Sequence, residues 1–478
     1  MSDSALRTLA AGIVMPGFVG RNVPPWIAEA RVGGLRCVGL YGGNVTDRAG
    51  ALGLCAQLRG IDPGLLIATD EEGGDVTRLH LGVGSPTPGN AVLGRIDDQQ
   101  TTRETAQQIG AELASVGIGL DLAPSADVNS NDRNPVIGTR SFGADPRLVA
   151  RHTVAFVEGL QSTGVAACAK HFPGHGHTST DTHVTRAVVR ASRSTLAARE
   201  LVPFAAAIQA GVATVMTSHV LATALDPDAA ATFSARVLQG LLRGELGFSG
   251  VIVSDALDMA GSSAESDIPT AAVRAVAAGA DLLCLGADTT EELYRSVLTA
   301  LCDAAADGTL PRRRLTDAAD RVAELADRHA AAAPPAGADR PGALGPATPT
   351  GPSRDRILPT FARRASVTDW LAAAGPTEIV QVETSPNLAI GPAAWGPASV
   401  GATTPADRVS PGARVAVVAR GIGPGHPARV AAAAYRAAGH AVVLVDCGWP
   451  QGDVDLATYS GARSVSTALV ALLRGEIR

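Results

Sequence analysis

Between Lys170 and His183 the chain reads Lys-His-Phe-Pro-Gly-His-Gly-His-Thr-Ser-Thr-Asp-Thr-His. Its glycines, proline and small hydroxyl residues exclude a helix and predict a loop. Asp181 and His183 stand two apart, so on extended backbone both side chains leave on one side and the carboxylate reaches an imidazole nitrogen. Such a pair fixes the tautomer and favours the imidazolium. It supplies a group near its working pKa of about 6.5, suited to giving a proton to a leaving oxygen and taking one back from water. A second acid, Asp255, ends the apolar run Val251-Ile252-Val253-Ser254. A strand that delivers a carboxylate into a cleft can hold it against an electrophilic carbon; at a sugar's anomeric carbon the product is a covalent glycosyl-enzyme. Asp258, three residues later, reads instead as an acid at a helix start.

The same histidines open a different chemistry, because His171, His175, His177, Asp181 and His183 are all potential metal ligands. The order H-x-H-x-x-x-D-x-H departs by two residues from the H-x-H-x-D-H of metallo-β-lactamase-type hydrolases, and HExxH is absent. The expectation is therefore no metal and no cofactor, with a metal-dependent hydrolase as the distant alternative.

These groups need elements to carry them to one place. Eight short apolar runs recur: Gly12 to Phe18, Leu35 to Gly42, Leu65 to Asp70, Gly119 to Val128, Val165 to His171, Val212 to His219, Gly250 to Asp255 and Ala280 to Gly286. Between them lie alanine-rich amphipathic stretches, among them Thr102 to Val116, Pro146 to Gly159, Arg193 to Gly211 and Ile268 to Gly279. Alternation of this kind predicts an α/β fold, a (β/α)8 barrel, with a doubly wound sheet as the other arrangement of the same pattern. The barrel places chemistry at the C-terminal ends of its strands. Five such ends carry polar groups: Asp70-Glu71-Glu72 after the third run, Asp127 and Arg140 after the fourth, Lys170-His171 after the fifth, His219 after the sixth and Asp255 after the seventh.

At 478 residues the chain exceeds one hydrophobic core. Residues 1–330 are expected to form the catalytic barrel, ending in a long helix from about Arg314. Residues 331–355, rich in Ala, Pro and Gly, read as a linker, and residues 356–478 as a smaller α/β sandwich. In that second part a strand Arg414 to Arg420, a helix Pro427 to Ala438 and a strand Ala441 to Asp446 make a βαβ unit. Gly421, Gly423 and Gly425 suggest a dinucleotide loop, but the spacing is GxGxG and Pro424 removes an amide donor, so that reading is set aside. The net charge of -6 is interspersed, which argues against nucleic acid or anionic membrane as a partner. A small neutral or mildly charged substrate fits that charge better, and six scattered cysteines without a CxxC pair, with no apolar run of membrane length, point to a cytoplasmic setting.

The chain resembles glycoside hydrolase family 3, in particular its bacterial β-N-acetylglucosaminidases. The resemblance rests on Asp70-Glu71-Glu72-Gly73-Gly74 with Arg78, Ile137-Gly138-Thr139-Arg140-Ser141-Phe142, Lys170 to Gly176, Asp181-Thr182-His183 and Gly250 to Asp255, in the family's order over nearly all of the first 290 residues. Tyr459 to Gly475 is similar to the closing segment of the family's αβα domain. The resemblance implies Asp255 as nucleophile, His183 as acid/base and Asp181 as its partner, the last two marking the N-acetylglucosaminidase branch. It further implies Asp70, Arg78, Arg140, Lys170 and His171 as groups that hold sugar hydroxyls, with His219 nearby. The expected activity is retaining, exo-acting removal of terminal β-linked N-acetylglucosamine from muropeptide or chitin-type oligosaccharides in peptidoglycan recycling. Phosphorolysis with inorganic phosphate as acceptor is the alternative, since a histidine acid/base repels an anion less than a glutamate would.

Overall fold

A computed structural model describes residues 3–45, 47–182, 187–259, 266–332, 351–384, 387 and 389–477. All eight apolar runs form parallel strands: β1 (Val14–Met15), β2 (Cys37–Leu40), β3 (Leu66–Thr69), β4 (Leu120–Asp121), β5 (Ala166–Phe172), β7 (Thr214–Thr217), β9 (Val251–Val253) and β10 (Leu283–Cys284). A small outlying parallel ribbon pairs β6 (Val188–Val189) with β8 (Leu221–Ala222). Strands β2-β3-β4-β5-β7-β9 make one sheet and β1 pairs with β10. The ring closes through the Val253–Leu282 bridge on one side and the Gly39 N–H donating to the Pro16 carbonyl at 2.9 Å on the other. The result is the (β/α)8 barrel rather than an open doubly wound sheet.

The barrel interior is filled by Met15, Leu66, Leu120, Met216 and Val251, which share one cluster with Val322, Leu325 and Ala326 of the helix Arg312–Ala332. A second apolar layer, with Phe156, Phe204 and Ile252, lies between strands and surrounding helices. The stretch expected as one helix from Arg193 to Gly211 is two, Arg193–Ala198 and Leu201–Gln209. Pro203 cannot donate back across the junction, and Glu200 at the break is fully buried beneath the Gly174 turn.

Asp281, with no exposed surface, enters β10 at the bottom of the barrel. It accepts from the Ile252 N–H at 2.9 Å and bonds to Arg243 and Arg314, with Arg321 at 3.4 Å. One carboxylate thus holds three guanidiniums from two elements. Replacing Asp281 with Asn is expected to lower unfolding free energy by roughly 3 kcal/mol, the low end for a broken buried pair because the arginines are partly reached by water. Urea denaturation of wild type and variant measures it.

Most of the segment expected as linker lies outside the described residues. Beyond it, β11 (Ala362–Arg363), β12 (Thr377–Gln381), β13 (Arg414–Ala419), β14 (Ala441–Asp446) and β15 (Leu456–Ala457) form a sheet of order β11-β15-β14-β13-β12, parallel except for β11. The helix Pro427–Ala437 covers one face through Ala428 and Ala432, and Arg463–Leu473 the other through Val465 and Leu469. The glycine loop after β13 is not a phosphate cradle. Its amides at Gly421 and Ile422 donate to the Asp446 carboxylate at 2.8 and 2.7 Å, so an internal anion already occupies the place a phosphate would take.

Candidate active site

Strand ends β3, β5 and β9 converge on a cavity of about 210 Å³ at the C-terminal mouth of the barrel. Asp70, Arg78, Arg140, Lys170, His171 and Asp255 all form part of its wall. Lys170 and His171 lie within β5, and their buried neighbours explain why two polar groups sit there. Lys170 Nζ is 2.8 Å from Asp70 and 2.7 Å from Glu72, and Arg140 grips Glu72 with two nitrogens at 2.7 and 2.9 Å. Arg140 also lies 3.3 Å from His171 Nε2. A guanidinium only donates, so that nitrogen accepts and the imidazole proton sits on Nδ1, directed at Asp127 at 2.7 Å.

Burial alone would drive these carboxylates to their neutral forms, but the cations win. Lys170 and Arg78 hold Asp70 below the ordinary carboxylate value, and Arg140 with Lys170 hold Glu72 far below it. Against its own burial, Lys170 is kept cationic by Asp70 and Glu72. Two buried acids behind this shell behave oppositely: Asp121 and Glu71 are pushed up by burial. The mouth therefore offers fixed charge on one side and, across the cavity, the carboxylate of Asp255.

Asp255 follows β9 and is 9% exposed; its backbone N–H donates to Thr217 Oγ1 at 3.2 Å, and its own Oδ1 accepts from the Ala256 N–H at 2.9 Å. Asp258 lies in a turn on the cavity wall, and the residues 260–265 that would form the helix it was expected to start lie outside the described residues. The position of Gly286, with φ of +96°, is set by it: a Cβ there would stand 1.9 Å from the Asp258 carboxylate. His219, expected among the sugar contacts, is fully buried and is no part of the wall. Its Nε2–H donates to the Ala256 carbonyl at 3.0 Å and its ring stacks on Phe233, which places it behind Asp255.

The histidine loop divides in the same way. His175 is buried, its backbone N–H donates to Asp127 at 2.6 Å, and its ring nitrogens meet Thr178 Oγ1 at 2.8 Å and Thr182 Oγ1 at 3.0 Å. Burial lowers its pKa to about 4. Both ring nitrogens are engaged by hydroxyls, and no three acidic, histidine or cysteine side chains among the described residues are grouped to hold a metal. Thr182 is part of the cavity wall. Asp181, partly exposed, precedes it, and His183 lies outside the described residues.

Several wall residues escape a reading of the sequence. Tyr41, just after β2, and Cys284 of β10 lie 3.1 Å apart, in apolar runs where nothing distinguishes them from core. Glu72 stands in the Asp-Glu-Glu-Gly-Gly segment, where its twin neighbours gave no ground for choosing it as the shared counter-ion. Ala389 comes from the second domain; its carbonyl accepts from Arg78 Nη2 at 3.3 Å, so that domain touches the site through backbone.

Residues 11–325 match the model of the glycosyl hydrolase family 3 N-terminal domain. A β-hexosaminidase from Pseudomonas aeruginosa (strain LESB58) is 37% identical over 256 residues, covering 54% of this chain and 75% of that protein. A glycoside hydrolase family 3 β-N-acetylglucosaminidase from Paenibacillus sp. str. FPU-7 superposes on 99% of this chain and 97% of its own, with a TM-score of 0.86 and 31% identity. A β-glucoside phosphorylase covers 100% of this chain and 92% of its own at a TM-score of 0.75, but at 17% identity it speaks to the fold alone.

Proposed function

The chain belongs to glycosyl hydrolase family 3, and on that premise we propose that it is a retaining β-N-acetylglucosaminidase acting on the terminal sugar of its substrate. The observation that carries the reading is Asp255 at the end of β9, facing the ion-paired cradle of Asp70, Glu72, Lys170 and Arg140 across about 210 Å³. That volume lies below the roughly 300–1,000 Å³ of pockets for drug-sized ligands and suits one sugar residue, as exo-action requires. The likeness of the whole chain to the Paenibacillus β-N-acetylglucosaminidase supports the choice of sugar.

In this mechanism Asp255 attacks the anomeric carbon while protonated His183 donates to the departing oxygen; neutral His183 then takes the proton of the water that releases the sugar. Asp181 orients the imidazole and favours its charged form. The charged cradle orders the hydroxyls, each charge-assisted bond favouring one hydroxyl pattern. His219 acts through Ala256, fixing the backbone next to the nucleophile. Six free cysteines, five of them buried, fit a reducing compartment; muropeptide fragments in cytoplasmic recycling are the substrate we assign. No helix among the described residues is long and apolar enough to cross a membrane.

The test is turnover of aryl β-N-acetylglucosaminides of graded leaving-group pKa, against the matching glucosides, with and without phosphate. Wild type should favour the N-acetyl sugar and release free sugar in both conditions; a sugar 1-phosphate would replace hydrolysis by phosphorolysis. His183→Ala should lose about 10²–10⁴ in kcat with poor leaving groups and much less with activated ones. Thr182→Val, which removes the hydroxyl seated on His175, should show the same leaving-group signature at smaller size, with Thr182→Ser restoring it. A uniform loss across leaving groups would count against both assignments.

A further inference from the structure

A second cavity, of about 370 Å³, lies at the junction of the two domains. Val136 and Ile137 line both cavities. The second domain meets the first cavity at Ala389 and the second at Asn387 and Ile390, so the same two chain segments wall both. The junction cavity therefore adjoins the sugar site across Val136 and Ile137.

Its distinguishing group is Arg420, just past the end of β13. The guanidinium lies 4.3 Å over the Trp395 ring, which holds it in place; its Nη1 is enclosed without a hydrogen-bond partner among the described residues, and the partly exposed remainder of the side chain forms part of the cavity wall. The buried acids nearby are already satisfied, and the exposed Glu383 and Asp132 accept from Trp395 Nε1 and Trp449 Nε1, each at 3.3 Å. Asp75 accepts from Thr139 Oγ1 at 2.7 Å and the Gly461 N–H at 2.8 Å, and Asp446 is taken up by the loop amides. His426, also on the wall, accepts the Ala428 N–H on Nδ1, which leaves its proton on Nε2 as a further donor. A fixed cation and a donor whose neighbouring carboxylates are otherwise engaged form a place for an anion.

We propose that the junction cavity is a second binding site, built half by each domain, that takes an anionic group, a carboxylate or similar oxyanion, on Arg420. Its position makes the leaving portion of the substrate the first source of that group, and this part rests on the glycosidase reading above; a free anion from solution is the other source.

Two arms separate the sources. Aryl β-N-acetylglucosaminides bearing a ring carboxylate are compared with the isosteric carboxamides, and inorganic sulfate, which is no acceptor for the sugar, is titrated against the Tm of the whole protein. Wild type should prefer the carboxylate by about 10- to 100-fold in kcat/KM. Arg420→Gln should bring the ratio close to one, Arg420→Lys should keep part of it, and Gln451→Glu, at the exposed rim, should reverse it without touching the Trp395 stack. If the ratio is one in wild type but sulfate raises its Tm and not that of Arg420→Gln, the site stands with a free anion as ligand. A ratio of one together with identical sulfate responses overturns the site. Failure to cleave either substrate would instead overturn the glycosidase reading, and the sulfate arm would still decide the cavity.

Discussion

Replacing Asp255 with Ala lowers kcat on aryl β-N-acetylglucosaminides by about 10⁵-fold, the scale of losing a covalent nucleophile, with the fold intact. The fold should survive because the backbone N–H that anchors this residue to Thr217 remains after the side chain is shortened. The loss comes from removing the group that forms the glycosyl-enzyme, so it should be as large for activated leaving groups as for poor ones. That separates it from loss of the acid/base. Azide should partly restore turnover by entering the space vacated by the carboxylate, giving an α-glycosyl azide of inverted configuration. Stopped assays with product analysis by NMR check both rate and configuration. Asp258, on the same wall, gives the internal control: its replacement should cost far less and gain no azide rescue.

The second large effect is at Glu72. This carboxylate, 2% exposed, is shared by Arg140 and Lys170, so Glu72→Gln leaves two buried cations short of a counter-ion. A loss of about 3–5 kcal/mol in unfolding free energy is expected at neutral pH, together with a raised KM as Lys170 and Arg140 lose their alignment on the sugar. The pH dependence identifies the cause. A carboxyl whose folded pKa is depressed stabilises the fold above its ordinary value of about 4.5, and that contribution drains away as pH falls below it. The gap between wild type and Glu72→Gln should therefore narrow below about pH 4.5. His175 acts in a higher window. Its folded pKa is lowered by burial from 6.5 to about 4, so the unfolded chain takes up a proton first as pH falls, costing about 3 kcal/mol between those values. That upper stage should persist in Glu72→Gln. Urea denaturation at pH steps from 7 to 3.5 resolves the two stages.

Strand positions were legible because burial on both faces of a barrel strand leaves continuous apolar runs, and Val251 to Val253 or Thr214 to Thr217 could hardly be read otherwise. The polar strand ends were legible for the complementary reason: Lys170 and Asp255 interrupt such runs. What escaped was set by three-dimensional neighbours. His219 ends its strand as Asp255 does, and nothing in the sequence reveals that it turns away onto Ala256. His175 and His177 stand two apart in one glycine-rich loop, yet one is buried and held by two threonines while the other is exposed. The break at Glu200 depends on a buried side chain packed under Gly174, which no helical periodicity records. In the second domain β11 and β15, two residues each, are too short to give a pattern of their own.

The central step is the covalent bonding of Asp255 to the sugar. Incubating the protein with a slow fluorinated N-acetylglucosaminide, then locating the added mass by peptide mass spectrometry, tests it directly. The expected result is one sugar equivalent on Asp255 in the peptide spanning β9 and its following turn, formed at a rate that matches loss of activity. Label on Asp258, or complete inactivation with no covalent sugar, would contradict the assignment of Asp255 as nucleophile.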